Sequence, residues 1–274
     1  RIQKGAVDMG AYETPGVYYV APNGAHQTPF VTWAQAATSI IAAVQVAAPG
    51  TTIVVSNGTY ALDAMVEIGT NLTLQSLAGA AATILDGQGV RTCVRVDHVD
   101  AVLDGFTLTG GVGTNQNGGG VRVTRGTARN CIITRNYAAQ LGGGVEVDAQ
   151  GSLENCIVTD NEAGWGGAGG FMQGGGLVRN CESARNTTPA LPLPPALGGV
   201  RLGGGGIFLL SGGEVDSSTI AYNMSGYEGG GVLYSDLFGP VTSALRNTIV
   251  QFNSAASNGA NYAGARLTWQ NCCT

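Results

Sequence analysis

The sequence predicts an all-β solenoid, a coil of stacked parallel strands, and three observations carry that prediction. "NCIITRN" opens at Asn130, "NCIVTDN" at Asn155 and "NCESARN" at Asn180, so Asn, Cys and Asn return every 25 residues. Each unit also carries a glycine cluster before a short apolar run: "GGGVRV" from Gly118, "GGGVEV" from Gly142, "GGIFLL" from Gly205 and "GGGVLY" from Gly229. Glycine reaches 45 of 274 residues, more than twice its ordinary share. Fixed self-similarity at this period belongs to a solenoid. Glycine-dense units without a 3.6-residue apolar period exclude helical repeats, and short β-branched runs between Gly and Asn read as strands and turns.

The elements follow in order. Residues 1–16 read as the tail segment of a preceding module. Residues 17–50 supply a first strand and a capping helix: "FVTWAQAATSIIAAVQVA" (Phe30–Ala47) has helical spacing at Trp33, Ala37, Ile40, Ile41 and Val44, and Pro49-Gly50 stops it. An amphipathic helix there covers the raw edge of the coil. Residues 51–274 are the coil, entered by "TIVVS", "LTLQS", "ATILD" and "CVRVD". The register extends from "GFTLTGG" at Gly105 through "SSTIAYN" at Ser217 and "NTIVQFN" at Asn247 to a truncated "NCC" at Asn271. The steps are 25, 25, 25, 37, 30 and 24 residues. The longest contains the proline-rich stretch Thr187–Gly199, with Pro192 and Pro194, and the next contains "FGPVTSA" near Pro240; both are expected to protrude as loops. The last rung is truncated and shows no cap, so end-to-end self-association is expected.

Aligning the units gives columns. Leu103, Ala128, Leu153, Val178, Val215 and Leu245 form one apolar column, and Leu108, Ile133, Val158, Ser183, Ile220 and Val250 another. Between them run Phe106, Cys131, Cys156, Cys181, Ser218 and Thr248, read as a buried thiol ladder in preference to a disulfide framework, although a Cys131–Cys156 bridge is geometrically open. The asparagine columns that begin at Asn130, Asn155 and Asn180 and at Asn136 suit left-handed turns, with amides bonding to copies above and below. Asp104, Arg129, Glu154, Arg179, Asp216 and Arg246 alternate in sign at every step, as do Arg135, Asp160 and Arg185, and Arg122 and Glu146. Stacked opposite charges favour correct register by roughly 0.2–1 kcal/mol per pair. That assigns these arginines a structural task.

Net charge is −5 and Lys4 is the only lysine, so an electrostatic grip on nucleic acid is not expected. No apolar run reaches the roughly 20 residues a membrane-spanning helix needs. The six cysteines form no CxxC pair, which disfavours zinc or thioredoxin-like chemistry. "GWGGAG" (Gly164–Gly169) matches GxGxxG but precedes no helix, so it does not predict dinucleotide binding. The outward column Thr107, Ile132, Ile157, Glu182, Thr219 and Ile249 is too irregular for an ice-binding face; Ile132 and Ile157 form a candidate contact patch.

No catalytic residue is assigned. The candidate glycan or partner face is the loop-bearing side, with Trp165 and Tyr227 on equivalent turns, Glu162 and Glu228, and Pro192 and Pro194. Two readings of the aromatics stay open, stacking on sugar rings or packing under the loop. Glu146 with Asp148 is another carboxylate pair of interest, since hydrolysis needs two carboxylates roughly 5–9.5 Å apart. His98, beside Asp97 and Asp100, is read as a solvated turn. Calcium needs a carboxylate cluster, and the acids are scattered singly or paired in ladders, so no metal or other cofactor is expected.

The 25-residue rung with its "NC" and "GGG" columns resembles the right-handed single-stranded parallel β-helix, the pectin-lyase-like fold, from about Thr51 to Cys273. More narrowly, "VDMGAYE", "YYVAPNG…TWAQAATSI" and "WQNCCT" resemble bacterial surface proteins of the choice-of-anchor Q and polymorphic-outer-membrane-protein type. The resemblance implies a non-catalytic, extracellular module acting as stalk or adhesin, with a polysaccharide or cell-surface partner. The alternative it carries is a polysaccharide lyase or glycoside hydrolase, because one coil serves many chemistries.

Overall fold

Three parallel sheets wind along one axis, and the strand register defines the coil. The computed structural model describes residues 2–3, 6–7, 16–113, 117–190, 202–236 and 242–274. One sheet of eight strands runs from Gly58–Ala61 to Ile249–Gln251, and one of six from Val112–Gly113 to Ser254–Ala255. A third, of 15 strands, begins at Val17–Val20. Every strand in these sheets pairs in parallel with the same segment of the next turn, for example Ile133 with Val158 and Val158 with Ser183. The protein is therefore an all-β parallel solenoid, a β-helix of about eight turns.

Each rung turns three corners, and the sequence specifies each differently. The first holds Asn130, Asn155, Asn180, Ser217, Asn247 and Asn271, all with φ between 49° and 55°. Left-handed backbone costs an ordinary residue roughly 1–2 kcal/mol and asparagine less, because its short amide bonds locally. The second holds Arg135, Asp160, Arg185, Tyr222 and Phe252 at φ 55–58°. This corrects the expected second turn column: the left-handed residue precedes Asn136, and the asparagine itself points inward. The third corner is the glycine cluster. Gly142 has φ 68°, and a Cβ on Gly169 would lie 2.4 Å from the Gly206 carbonyl oxygen of the next rung. Rungs stack there too closely for a side chain.

The interior is one continuous apolar stack. Leu103, Ala128, Leu153, Val178, Val215 and Leu245 lie in register and are buried. At ~25 cal/mol per Å2, columns of this kind supply most of the driving force for folding.

The N-terminal cover differs from the expected helix. Only Ile40–Val46 is helical, with Ser39 as N-cap accepting from the Ala42 N–H at 3.4 Å. The preceding residues serve the sheet edge instead. Tyr19 N–H donates to Phe30 O at 2.8 Å, Ala37 N–H to Tyr19 O at 2.9 Å and Ala21 N–H to Ala37 O at 2.9 Å. Phe30, at φ 64°, is buried beneath this segment. An open strand edge satisfies more backbone groups through an extended neighbour than through a helix, whose own bonds are internal. No helix among the described residues is long and apolar enough to cross a membrane.

Candidate functional site

The ladders occupy much of the polar chemistry. Asp104 pairs with Arg129 at 2.8 Å, Arg179 with Asp216 at 3.5 Å and Asp160 with Arg185 at 3.1 Å. Glu154 sits in register between Arg129 and Arg179 without closing a bridge to either. Asp216 is in register with Arg246, but Arg246 turns to Glu214 at 3.1 Å and to Gln270. Such exposed pairs contribute ~0–1 kcal/mol each, so partner exchange along the column costs little. On the outer asparagine column, Asn180 donates to Asn155 at 2.7 Å and Asn155 to Asn130 at 3.4 Å.

All six cysteines are free, and Cys131, Cys156 and Cys181 are buried. Each thiol donates to a carbonyl two residues back, at 3.1 Å to Arg129, 3.2 Å to Glu154 and 3.1 Å to Arg179. Each of the latter two sulfurs also accepts a backbone N–H from the rung before it. Ser218 and Thr248 repeat the pattern, donating to Asp216 O and Arg246 O and accepting from Cys181 N–H and Ser218 N–H. The column therefore selects a γ atom that both donates and accepts. Burial raises the Cys156 thiol well above its usual range and pushes Cys93 up to about 12. Cys156 and Cys93 are thereby held as inert thiols.

An open groove crosses the bend of the long sheet. Its floor is the outward column Thr127, Ser152, Leu177, Glu214, Ala244 and Thr268, in register on consecutive rungs. Two adjoining hollows of about 460 and 410 Å3 share Gly176 and Glu214, and Arg179 and Arg246 stand at their sides. Sequence reasoning missed this groove. Its signal is the glycine at each bend, Gly126, Gly151, Gly176 and Gly213, which folds the strand inward.

On the other arm of the same strands lies an acid–arginine cluster. Arg122 Nε donates to Glu146 at 2.6 Å, and the Glu146 side chain is only 5% exposed. Asn117 donates to the second Glu146 oxygen at 3.1 Å. Arg95 and Arg125 both hold Asp97, at 2.7 and 2.9 Å. Asp148, half-buried two residues beyond Glu146, has its carboxyl pushed up to about 6 by burial and then by the Glu146 charge, against the pull of Arg122 and Arg95. Further along, the column of Arg122 and Glu146 becomes Phe171, Phe208 and Leu233, which form a second buried apolar cluster.

The described residues singled out on the loop-bearing side fall in two columns of the coil. Trp165 and Tyr227 are half-buried on the glycine corner, in rungs separated by the Leu202 rung, as the bridges Gly166–Gly203 and Gly203–Glu228 define. Glu162 lies in another column, in register with Tyr137 and Thr187. Pro192 and Pro194 lie outside the described residues. The exposed aromatic pair is instead Tyr222 and Phe252, stacked with centroids 5.3 Å apart. They continue the column of Arg135, Asp160 and Arg185, from which they could have been read. His98 bonds to the Asp100 N–H at 3.1 Å. Among the described residues, no group of three or more His, Cys, Asp or Glu side chains is placed to hold a metal.

No protein-family model matches the chain, and no curated protein matches it. Among solved structures, it is similar to the crystal structure of pectate lyase Pel9A, with 14% identity over 92% of this chain and 78% of that one, at a TM-score of 0.49. The fold assignment rests on the strand register above.

Proposed function

We propose that the chain is a module of a large extracellular bacterial surface or secreted protein, a rigid stalk that holds an extended polysaccharide along its side without cleaving it. The observation that supports this reading best is the groove over Thr127, Ser152, Leu177, Glu214, Ala244 and Thr268. Consecutive rungs repeat one surface every ~4.8 Å, so these six positions span about 24 Å and meet a linear polymer repeatedly. The resemblance to choice-of-anchor Q and polymorphic-outer-membrane-protein modules supports the surface location. The loop-bearing side, with Trp165, Tyr227 and Glu228 on the glycine corner and Glu162 in the neighbouring column, is proposed as a contact for a cell-surface partner. Cofactors have no part in this reading.

The test is a panel of acidic and neutral polysaccharides, with and without calcium, read for retention and for new chain ends. Retention that is lost in Ser152→Trp, with no new ends, supports the proposal. Retention unchanged by that substitution overturns the groove, and new chain ends overturn the non-catalytic role.

A second reading, a polysaccharide lyase or glycoside hydrolase, is favoured by Asp148 beside Glu146 and Arg122. A carboxyl titrating near 6 is suited to general acid catalysis near neutral pH. Chain ends that vanish in Asp148→Asn would establish this reading.

A further inference from the structure

A separate cleft opens at the N-terminal end of the coil, away from the long groove. It lies where the first three rungs turn: Pro22 and Asn23 follow the strand Val17–Val20, Ser56 and Asn57 follow Thr51–Val55, and Leu77 follows Leu72–Ser76. Trp33 overhangs these stacked corners. The space is about 740 Å3, within the roughly 300–1,000 Å3 of small-ligand sites.

The walls are fixed before any ligand arrives. Trp33 is held on a loop whose backbone bonds run from Ala25 to Ala34, from Gln27 to Gln35 and from Ala36 to Trp33. Its ring rests against Tyr19, with centroids 4.5 Å apart, yet 41% of the residue is exposed. Gly24 allows this loop to close, since a Cβ there would lie 2.1 Å from Ala36 O. The floor is set by Pro22 against Gly58, where a Cβ would meet the proline ring at 2.9 Å. A preformed site loses little conformational entropy on binding.

Its chemistry is specific. Among the described residues, no ionisable side chain lines the cleft. The amides of Asn23 and Asn57 carry both donors and acceptors and have no side-chain hydrogen-bond partner among the described residues. The same cleft is lined by the Trp33 indole and by Leu77, which is 60% exposed. An aromatic surface beside unpaired amides matches a ligand with a C–H face and a rim of hydroxyls, each hydroxyl both donating and accepting. We infer that this cleft binds a neutral saccharide of one or two sugar residues, stacked on Trp33 and hydrogen-bonded to Asn23 and Asn57. The site is independent of the groove and of whether the chain cleaves polysaccharide.

The test uses the whole chain and the indole N–H signals of its three tryptophans. Neutral disaccharides with different linkages are titrated to about 20 mM, well above the ~1 mM Kd expected of one stacked ring and a few hydrogen bonds. Digalacturonate and adenosine serve as charged and planar comparisons. The expected result is movement of the Trp33 signal, identified by its loss in Trp33→Phe, with the Trp165 and Trp269 signals fixed. Asn57→Ala, which removes no internal bond, is expected to weaken binding about fivefold. A Trp33 signal unmoved by every neutral sugar overturns the inference. So does equal movement with digalacturonate, movement with adenosine alone, or undiminished affinity in Asn57→Ala.

Discussion

Asn161 Oδ1 accepts from both the backbone N–H and the side-chain amide of Asn136, each at 3.0 Å. Its own amide donates to Ile133 O at 2.9 Å and to Asn186 Oδ1 at 3.0 Å, and Asn186, Asn223 and Asn253 continue the pattern. These side chains are buried, so each bond is made in a low-dielectric interior and polarises the next. Asn161→Ala leaves the Asn136 N–H without its partner and removes the amide that donates to the Ile133 carbonyl. We expect a loss of about 3 kcal/mol in urea unfolding. Asn155→Ala, on the exposed column, should cost only ~1 kcal/mol, mainly through its left-handed backbone. Equal losses for the two would show that the buried ladder is not cooperative.

The γ column makes a prediction that runs against apolar burial. Cys156→Ser keeps a donor and an acceptor at the γ position, as Ser218 does in its own rung. Cys156→Val supplies neither and leaves the Cys131 N–H unpaired. Serine should therefore be tolerated at least as well as valine, each measured by thermal unfolding. Thiol labelling of the native protein should modify Cys273 at once and spare Cys93, Cys131, Cys156 and Cys181 until unfolding. Fewer than six thiols in the unfolded, unreduced chain would mean that a disulfide is present.

Asp148 predicts a pH dependence. Its carboxyl titrates near 6 when folded and near its ordinary value when unfolded, so between these the folded state binds more protons. Stability contributed by the protonated form is present below about pH 4 and is lost as pH rises through about 6. Because the group is only half-buried, solvent screening reduces the effect to ~1 kcal/mol. Asp148→Asn should remove that slope and raise stability at pH 7. Glu146→Gln should lower the Asp148 midpoint, since one of the charges raising it is gone.

The outward apolar cluster predicts that sheet faces are not interchangeable. Phe208 is fully buried although it points away from the main core, 5.7 Å from Phe171. Phe208→Ala should destabilise by about 3–5 kcal/mol, as in an ordinary core. A loss under ~0.5 kcal/mol would mean that the cluster is solvated in solution.

Much of this was legible in the sequence because a solenoid writes its fold locally. Identical rungs impose identical demands, so the period of 25, the Asn130 column and the glycine corner announce themselves by repetition. The break in alternation at "FM" and "IFLL" also signals the outward cluster of Phe171 and Phe208. The helix was legible only as far back as Ile40, because the competitor for Phe30 and Ala37 was the unpaired edge of Tyr19.

By itself the sequence determined the class of fold, the register of its columns and two of its three corners, since each follows from contacts one repeat apart. Tertiary structure alone decided where those columns bend. The bends made a groove at Thr127 to Thr268, and the N-terminal corners brought Trp33 into one cleft with Asn23 and Asn57. Repetition encodes what adjacent rungs share, whereas a site depends on how separate departures from the repeat meet in space.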